Sequence, residues 1–335
     1  MKQILYFAIA ALFASGLASC SNEGDAPDVP GGKTDGAVAI CLGSKVKTNL
    51  NVITRADGVS NEGPIDNTTG SITFGIAGWE RLQTGEYNAT PTEMETYDQG
   101  ALWATTASCA VHDTEKKSVI WTEQKYYNAG ENKKTFMKAW YPAGTINEDK
   151  SSVSFENTTG KIDALWATPI YADKWDKNDK NLNFAHKTAQ IKFKVQKGEG
   201  LEAGTKLKSI TLQDVNVPVG FDLKAVTESE VKYSNVVNLK VPDYTEGSTT
   251  ITDYATSPSP FIGSPVMIKP ITGKKFKVTV ETDKAIFRDM EVTVNTDNIQ
   301  AGTAYTILLT FKQEEIVLTA TVAQWTNQDG NGEII

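Results

Sequence analysis

The two histidines, His112 and His186, have the widest chemical repertoire of any residues in this chain. A catalytic or metal-binding histidine needs partners at a defined spacing, and the sequence has no HExxH, CxxC or His-rich motif to supply them. It also has no G-x-S-x-G elbow, Walker loop or G-x-G-x-x-G. His186 lies in a strand-like run, so we expect a structural histidine hydrogen-bonded near a sheet, and we expect His112 to face water at a strand end. The sequence therefore predicts no enzyme and no cofactor.

Two acidic, amide-rich stretches could be mistaken for calcium-binding loops. A Ca²⁺ loop needs oxygen ligands at alternate positions, a glycine bend and a distal bidentate glutamate. Residues 173–183 carry aspartates at i, i+3 and i+6 interleaved with lysine, and they lack the glycine. Residues 327–333 alternate oxygen donors around Gly330 but are too short. We expect a turn at residues 327–333 and a metal site at neither place.

Seven tryptophans offer a different chemistry, since aromatic faces can stack on sugars. Six of them lie before residue 198, where we place a domain boundary below. In a β-protein, tryptophan more often packs in the core or at a sheet edge. Core packing is the simpler explanation, and a sugar-binding face is the alternative. The residues are Trp79, Trp103, Trp121, Trp140, Trp166, Trp175 and Trp325.

Arginine is scarce in this chain, because the 33 basic residues include only Arg55, Arg81 and Arg288. Arg55 lies at a junction, after strand-forming residues 52–54 and before the turn-forming residues 56–63. A protease that reads arginine would find few other targets. Arg81 lies in loop-like sequence and is the next most accessible target, whereas Arg288 is expected to be shielded at a strand edge. The alternative is that Arg55 is an exposed linker residue with no further role.

The N-terminus carries an export signal. A short basic start precedes an apolar run of about fifteen residues, 4–18, which is shorter than the roughly twenty that a membrane span needs. The run ends in small residues before Cys20, the pattern of a bacterial lipobox. Residues 1–19 are therefore predicted to be a lipoprotein signal peptide, and Cys20 the residue that receives lipid such as palmitate. The polar, Gly- and Pro-rich residues 21–36 are typical of a tether. The alternative is an ordinary secretory signal with an incidental cysteine.

The composition excludes some partners. A net charge of −8 without a basic stripe argues against nucleic acid. No Lys/Arg-rich amphipathic stretch suits a membrane surface. If Cys20 is lipidated, Cys41 and Cys109 remain, and they can either pair in an oxidising compartment or stay as buried thiols in their apolar runs.

Alternating apolar residues dominate the rest of the chain and predict an all-β fold of antiparallel sandwiches. The clearest examples are residues 37–46, where Val38, Ile40 and Leu42 share one face, and residues 182–195, which alternate as one run. A glycine-rich segment, 197–204, suggests a division into an N-terminal sandwich over 56–198 and a C-terminal sandwich over 199–335. The other predicted strands are 71–79, 207–215, 236–241, 275–282, 290–294, 304–311 and 316–325.

The order of these features resembles the fimbrillin family, whose members are subunits of the protease-assembled type V pili of Gram-negative anaerobes. The resemblance spans nearly the whole chain, although none of its motifs is specific alone. It implies two tandem transthyretin-like β-sandwich domains and no enzymatic activity. The stretches that carry it are 17-LASC-20, 52-VITRA-56, 139-AWYP-142, 184-FAHKTAQIKFKV-195, 301-AGTAYTILLTF-311 and 316-IVLTATVAQWTNQDGNGEI-334.

The resemblance also implies a mechanism of assembly. An Arg-specific surface protease would cut between Arg55 and Ala56 and release the lipidated segment 20–55 with its first strand. The terminal strand of a neighbouring copy or related pilin, residues 316–325, would then fill the groove. Its apolar face is Ile316, Leu318, Ala320 and Val322, which matches the alternation of Val38, Ile40 and Leu42.

The precursor would be an outer-membrane lipoprotein at the cell surface, and the mature form would lie in an adhesive pilus. The alternatives are a surface lipoprotein that never polymerises and binds a glycan or host receptor, and an anchor or tip subunit of the same pilus. The sequence leaves open whether the terminal strand of a free subunit folds back on its own domain.

Overall fold

The computed structural model describes residues 38–46, 62–65, 70–82, 100–111, 117–129, 133–224, 230–253, 259–312 and 315–324. Every regular element in these ranges is a β-strand and none is an α-helix, which confirms the all-β prediction. No helix that could cross a membrane occurs among the described residues. The strands are β1 (Gly43–Val46), β2 (Ser71–Leu82), β3 (Trp103–Ala110), β4 (Lys117–Ser118), β5 (Ile120–Trp121), β6 (Lys133–Tyr141), β7 (Thr145–Ile146), β8 (Ser152–Ser154), β9 (Leu165–Ala167), β10 (Ile170–Ala172), β11 (Asn181–His186), β12 (Ala189–Lys197), β13 (Leu207–Val215), β14 (Pro218–Asp222), β15 (Val231–Tyr233), β16 (Val237–Lys240), β17 (Val266–Ile268), β18 (Lys275–Thr282), β19 (Ile286–Thr293), β20 (Thr303–Phe311) and β21 (Ile316–Gln324).

The first half of the chain builds one large sheet. Eight of its nine strands follow the order β4-β1-β11-β9-β6-β2-β3-β5, and β10 pairs with β6. One core cluster includes Phe74, whose ring meets that of Phe184 edge-on at 5.0 Å. A separate cluster contains three tryptophans, Trp79, Trp140 and Trp166. This large sheet positions the N-terminal segment discussed below.

The second half builds two four-stranded sheets around one core. Their orders are β17-β12-β20-β21 and β16-β13-β18-β19, and residues of both sheets contribute to a single cluster that includes Phe193, Leu212, Val278 and Tyr305. Strand β12 runs parallel to β20 and antiparallel to β17. The last strand, β21, lies at the end of its sheet.

The predicted run over 182–195 is two strands rather than one. It breaks at residues 187 and 188, so β11 joins the large sheet and β12 joins the β20 sheet. The alternation changes phase at the break, from the even-numbered Leu182 and Phe184 to the odd-numbered Ala189 and Ile191, and this shift is the sequence signal of two strands. Strand β12 precedes the expected domain boundary, and its pairing favours a division before residue 189.

A small fourth sheet connects the two halves. Its order is β15-β14-β8-β7, so strands from the first half pair with strands from the second. The N–H of Leu223 donates to the carbonyl of Ser151, and the N–H of Met267 donates to the carbonyl of Gly160. The two halves are therefore joined by main-chain hydrogen bonds as well as by the linker.

Lys138 is an unusual buried cation in the tryptophan cluster. Its side chain is 1% exposed, Nζ donates to the carbonyl of Leu223 at 2.8 Å, and the rings of Trp79 and Trp166 lie beneath it. Burial lowers the pKa of Lys138 to about 7, against the opposing effect of Glu230 and then Asp222. The folded protein therefore holds this proton less tightly than the unfolded chain does.

We expect the burial of Lys138 to make the free energy of unfolding depend on pH. Between pH 7 and the ordinary lysine pKa, the unfolded state binds more protons, so the free energy of unfolding rises with pH in that window. From pH 7 to pH 9 the gain attributable to Lys138 is about 2 kcal/mol. Urea titrations of the wild type and of Lys138→Met at both pH values measure it. Equal pH slopes for the two proteins would contradict the assignment.

Candidate functional site

The N-terminal segment 38–46 is inserted between two other segments of the first half. On one side it contacts residues 117–127, where the N–H of Ile40 donates to the Lys125 carbonyl at 2.8 Å and the N–H of Val119 donates to the Leu42 carbonyl at 2.9 Å. On the other side, β1 pairs in parallel with β11. We call the space that segment 38–46 fills between these two walls the slot.

The inward side chains of the slot follow the predicted alternation. Ile40 is fully buried, Leu42 is 5% exposed, and Val38 packs against the same core while remaining half-buried. The alternation continues to Ser44, which is buried and whose hydroxyl contacts the Cys109 thiol. The shared face of Val38, Ile40 and Leu42 is thus confirmed, and Ser44 is a fourth inward position that the sequence reasoning missed.

Cys109 forms part of the slot floor. It is a buried free thiol, so it does not pair with Cys41. Burial raises the pKa of the Cys109 thiol, and the hydrogen bond with Ser44 opposes this. A neutral thiol beside a serine hydroxyl makes this end of the slot less apolar than the end that holds Ile40.

The terminal strand β21 pairs with its own domain. All nine of its residues pair antiparallel with β20, from Ile316 opposite Phe311 to Gln324 opposite Thr303. The predicted inward face is confirmed, because Ile316, Leu318, Ala320 and Val322 all pack against the second-half core. These four side chains stay half-buried, whereas Ile40 and Leu42 in the slot are buried.

A buried polar network holds residues 62–65, which follow Arg55 in the sequence. Asp163 is fully buried and its carboxylate accepts three hydrogen bonds: from the N–H of Ile65 at 3.1 Å, from the Thr188 hydroxyl at 2.9 Å, and from Nδ1 of His186 at 2.9 Å. The N–H of Gly63 donates to the Lys161 carbonyl at 2.8 Å. His186 is therefore structural, as predicted. Asp163 was missed, since its partners lie far away in sequence.

Asp163→Asn is expected to destabilise the subunit by about 1–3 kcal/mol. An asparagine retains only one acceptor oxygen, so at least one of the buried donors around it loses its partner. Chemical denaturation measures the change. Asp297→Asn is the matched control, since Asp297 is exposed. An equal, small effect of both substitutions would show that the network does not hold residues 62–65.

The structure shows what the acidic stretch at 173–183 and the tryptophans do in the fold. Asp173 accepts hydrogen bonds from the N–H groups of Trp175 and Asp176, so the start of this acidic stretch forms a turn. Among the described residues no cluster of three or more His, Cys, Asp or Glu side chains could hold a metal. Trp140 and Trp166 are core residues, while Trp175 is 67% exposed.

The two other arginines differ from their predictions. Arg81 lies in β2, paired with Lys134, and not in a loop. Its loop-like sequence is overridden by pairing of the strand with β6. Arg288 lies in the edge strand β19 as expected, but its side chain is exposed, so the expected shielding is wrong. The predicted sites at Cys20, Arg55, Ala56 and His112, and the turn at 327–333, lie outside the described residues.

The fold and the slot define a class: an all-β protein in which an N-terminal segment completes the first core. The chain belongs to the fimbrillin-like family, whose model matches residues 54–325. This confirms the resemblance. The family is structural and not enzymatic, in agreement with the prediction from the sequence.

Solved structures of low sequence identity are similar to this chain, and the first of the three that follow shows the same fold. A putative cell adhesion protein from Bacteroides uniformis is 15% identical with a TM-score of 0.51, over 87% of this chain and 100% of that chain. One from Bacteroides ovatus is 14% identical with a TM-score of 0.48, over 88% and 99%. The tip fimbrial protein Mfa3 from Porphyromonas gingivalis, with a C-terminal truncation, is 9% identical with a TM-score of 0.43, over 86% and 100%. No curated protein sequence matches the chain.

Proposed function

We propose that this chain is a structural subunit of a cell-surface pilus that serves adhesion. It is exported as an outer-membrane lipoprotein through Cys20, cut after Arg55, and polymerised by exchange of β-strands between copies. The observation that carries the proposal is the position of segment 38–46, which lies between two walls and not at a sheet edge. Its removal therefore opens a slot that is bounded on both sides.

The energetics of an emptied slot favour refilling. Each large apolar side chain withdrawn from it exposes surface worth about 1.5–3 kcal/mol. The main-chain groups of both walls also lose partners, among them the carbonyl of Lys125 and the N–H of Val119. An inserted strand restores both contributions, as in other complexes formed by strand addition.

A cut after Arg55 separates two parts of the chain that are held independently. Segment 38–46 lies in the slot, and residues 62–65 are bonded to Lys161 and Asp163. Before the cut, the segment is covalently tied to its slot and has a high effective concentration there. After the cut, it can leave without disturbing residues 62–65. The family match begins at residue 54, beside the proposed cleavage site.

Strand β21 supplies the replacement. Four inward side chains of the slot segment (Val38, Ile40, Leu42 and Ser44) have four counterparts on β21, at the same spacing of two residues. In the free subunit β21 lies on its own β20, so it must detach before it can insert elsewhere. Its inward side chains are only half-buried there, and a deeper slot in a neighbour offers them more burial.

The domain assignment follows from the same proposal. Residues 1–19 are the signal peptide and 20–55 the removable pro-segment. Residues 56–198 and 199–335 are two transthyretin-like sandwiches, with the sheet pairing of β12 favouring a division nearer residue 189. Residues 316–325 are the donor strand.

Two alternative functions predict different outcomes for cleavage and for strand donation. An exposed Trp175 would suit a surface lipoprotein that binds a glycan or host receptor without polymerising, and such a protein stays tethered through Cys20. An anchor subunit of the same pilus keeps its lipid and is not cut, and a tip subunit donates no strand.

Deletion of residues 316–335 tests the proposal. Trimmed wild-type protein should form a ladder of high-molecular-weight species on non-boiled gels, whereas the deleted protein should remain monomeric, since it has no strand to donate. The deletion leaves the slot intact, so added wild-type protein should still cap it as a dimer. A ladder from the deleted protein would show that assembly does not use β21.

A further inference from the structure

Exposed apolar side chains gather beside the slot. Eight large apolar residues are exposed among the described residues, and three of them, Ile120, Tyr126 and Trp175, lie on or against the first wall. Trp175 is 67% exposed and Ile120 is 59% exposed. Exposed apolar patches on a folded protein mark places where another surface binds. We call these three side chains the rim.

Main-chain contacts place the rim along the Val38–Leu42 half of the slot. Tyr126 forms a β-bridge with Ala39, and Ile120 follows Val119, whose N–H donates to the Leu42 carbonyl. The turn that carries Trp175 is tied to the end of the same wall, because Nζ of Lys174 donates to the carbonyl of Ala129 at 2.6 Å. Among the described residues of this wall, no exposed large apolar side chain lies beside the Ser44 half of the slot.

Two further exposed apolar side chains lie near the start of β21. Ile316 is the first residue of β21 and pairs with Phe311. The Phe311 ring meets that of Phe287, the neighbour of Ile286, at 6.3 Å. Ile286 is 48% exposed, and Val317 on the outer face of β21 is 38% exposed. We call Ile286 and Val317 the root of the strand.

We propose that the rim of one copy docks on the root of the next, with the inserted strand entering so that Ile316 takes the place of Val38. This rests on the proposed exchange of strands. The occupant is a second copy of this chain, because residues 312–315 tie the root to the inserted strand. Those four residues span at most about 14 Å, so the root must lie close to the slot end that receives Ile316.

The outward side chains fit this direction of entry. When the strand enters with Ile316 at the Val38 position, Val317 replaces Ala39 and lies directly opposite Tyr126. The exposed side chains of Val317 and Tyr126 then form an apolar cross-strand pair. In the reverse direction, with Val322 at the Val38 position, Thr321 stands opposite Tyr126 and the rim lies at the far end from the root. Only the first direction places an exposed apolar side chain of the root, Val317, against the rim.

Disulfide trapping distinguishes the two directions. In a Cys109→Ala background, trimmed Tyr126→Cys/Val317→Cys protein should form oxidised ladders that survive boiling in detergent and collapse on reduction. Tyr126→Cys/Thr321→Cys is the matched control and should form only ladders that boiling disrupts. Trapping through Thr321 would overturn the proposal, as would trapping through neither residue.

Substitution of the rim provides a second readout. Ile120→Ser/Trp175→Ser polymers should dissociate about tenfold faster than wild type, since truncating buried aromatic and aliphatic anchors acts mainly on dissociation. Leu102→Ser/Val236→Ser removes two equally exposed apolar side chains elsewhere and should leave the rate unchanged. If wild-type protein forms no ladder, strand exchange itself is wrong. If wild-type protein forms ladders and the rim substitutions do not change their dissociation rate, only the docking inference is wrong.

Discussion

An Arg55→Lys subunit is expected to keep its N-terminal segment and to stay out of polymers. A protease that reads arginine recognises the planar, forked guanidinium, and the ammonium of lysine cannot reproduce that geometry. We expect trimming and ladder formation to fall by about a hundredfold or more, because a site built for paired hydrogen bonds rejects a side chain that leaves them unmade. Intact mass and non-boiled gels of surface protein measure both effects.

Arg288→Lys is the matched control for this substitution. Arg288 is exposed in edge strand β19, so it tests whether any accessible arginine suffices. The control should be trimmed and should polymerise like wild type. Trimmed Arg55→Lys protein, or a loss of trimming in Arg288→Lys, would place the cut elsewhere.

A disulfide across the slot is expected to block assembly even after cleavage. Gly43 and Ser118 are opposite each other on the antiparallel pair β1–β4, and Ser118 is exposed. Paired residues in such a ladder are close enough for a disulfide. Oxidised Gly43→Cys/Ser118→Cys protein should therefore be cut after Arg55, retain segment 38–46 and form no ladder.

Reduction should reverse this block. Once the disulfide opens, the cut segment can leave, and ladders should reach wild-type levels. Gly43→Cys alone controls for the substitution and should polymerise with or without reductant. Ladder formation by the fully oxidised double variant would mean that segment 38–46 need not leave the slot.

Local alternation is the part of this fold that the sequence revealed best. Successive side chains of a strand point to opposite faces, so the inward sets at Val38–Leu42 and Ile316–Val322 follow from residue type alone. Strands β13 and β18 were predicted with the observed bounds. In each case the neighbouring residues contain the required information.

Features that depend on distant partners could not be predicted. Residues 117–127 form a wall of the slot because segment 38–46 lies beside them. Their own sequence pattern does not indicate this contact. Asp163 looks like any polar residue until Ile65 and His186 are brought to it. Nothing in the sequence around Lys138 indicates burial, yet strand pairing and the packing of the sheets bury it.

The most direct measurement of the account is the intact mass of subunits isolated from assembled surface polymers. We expect chains that begin at Ala56-Asp57, contain no residue of segment 38–46 and retain the C-terminal strand. Polymers whose subunits still contain Val38, Ile40 and Leu42 would contradict it.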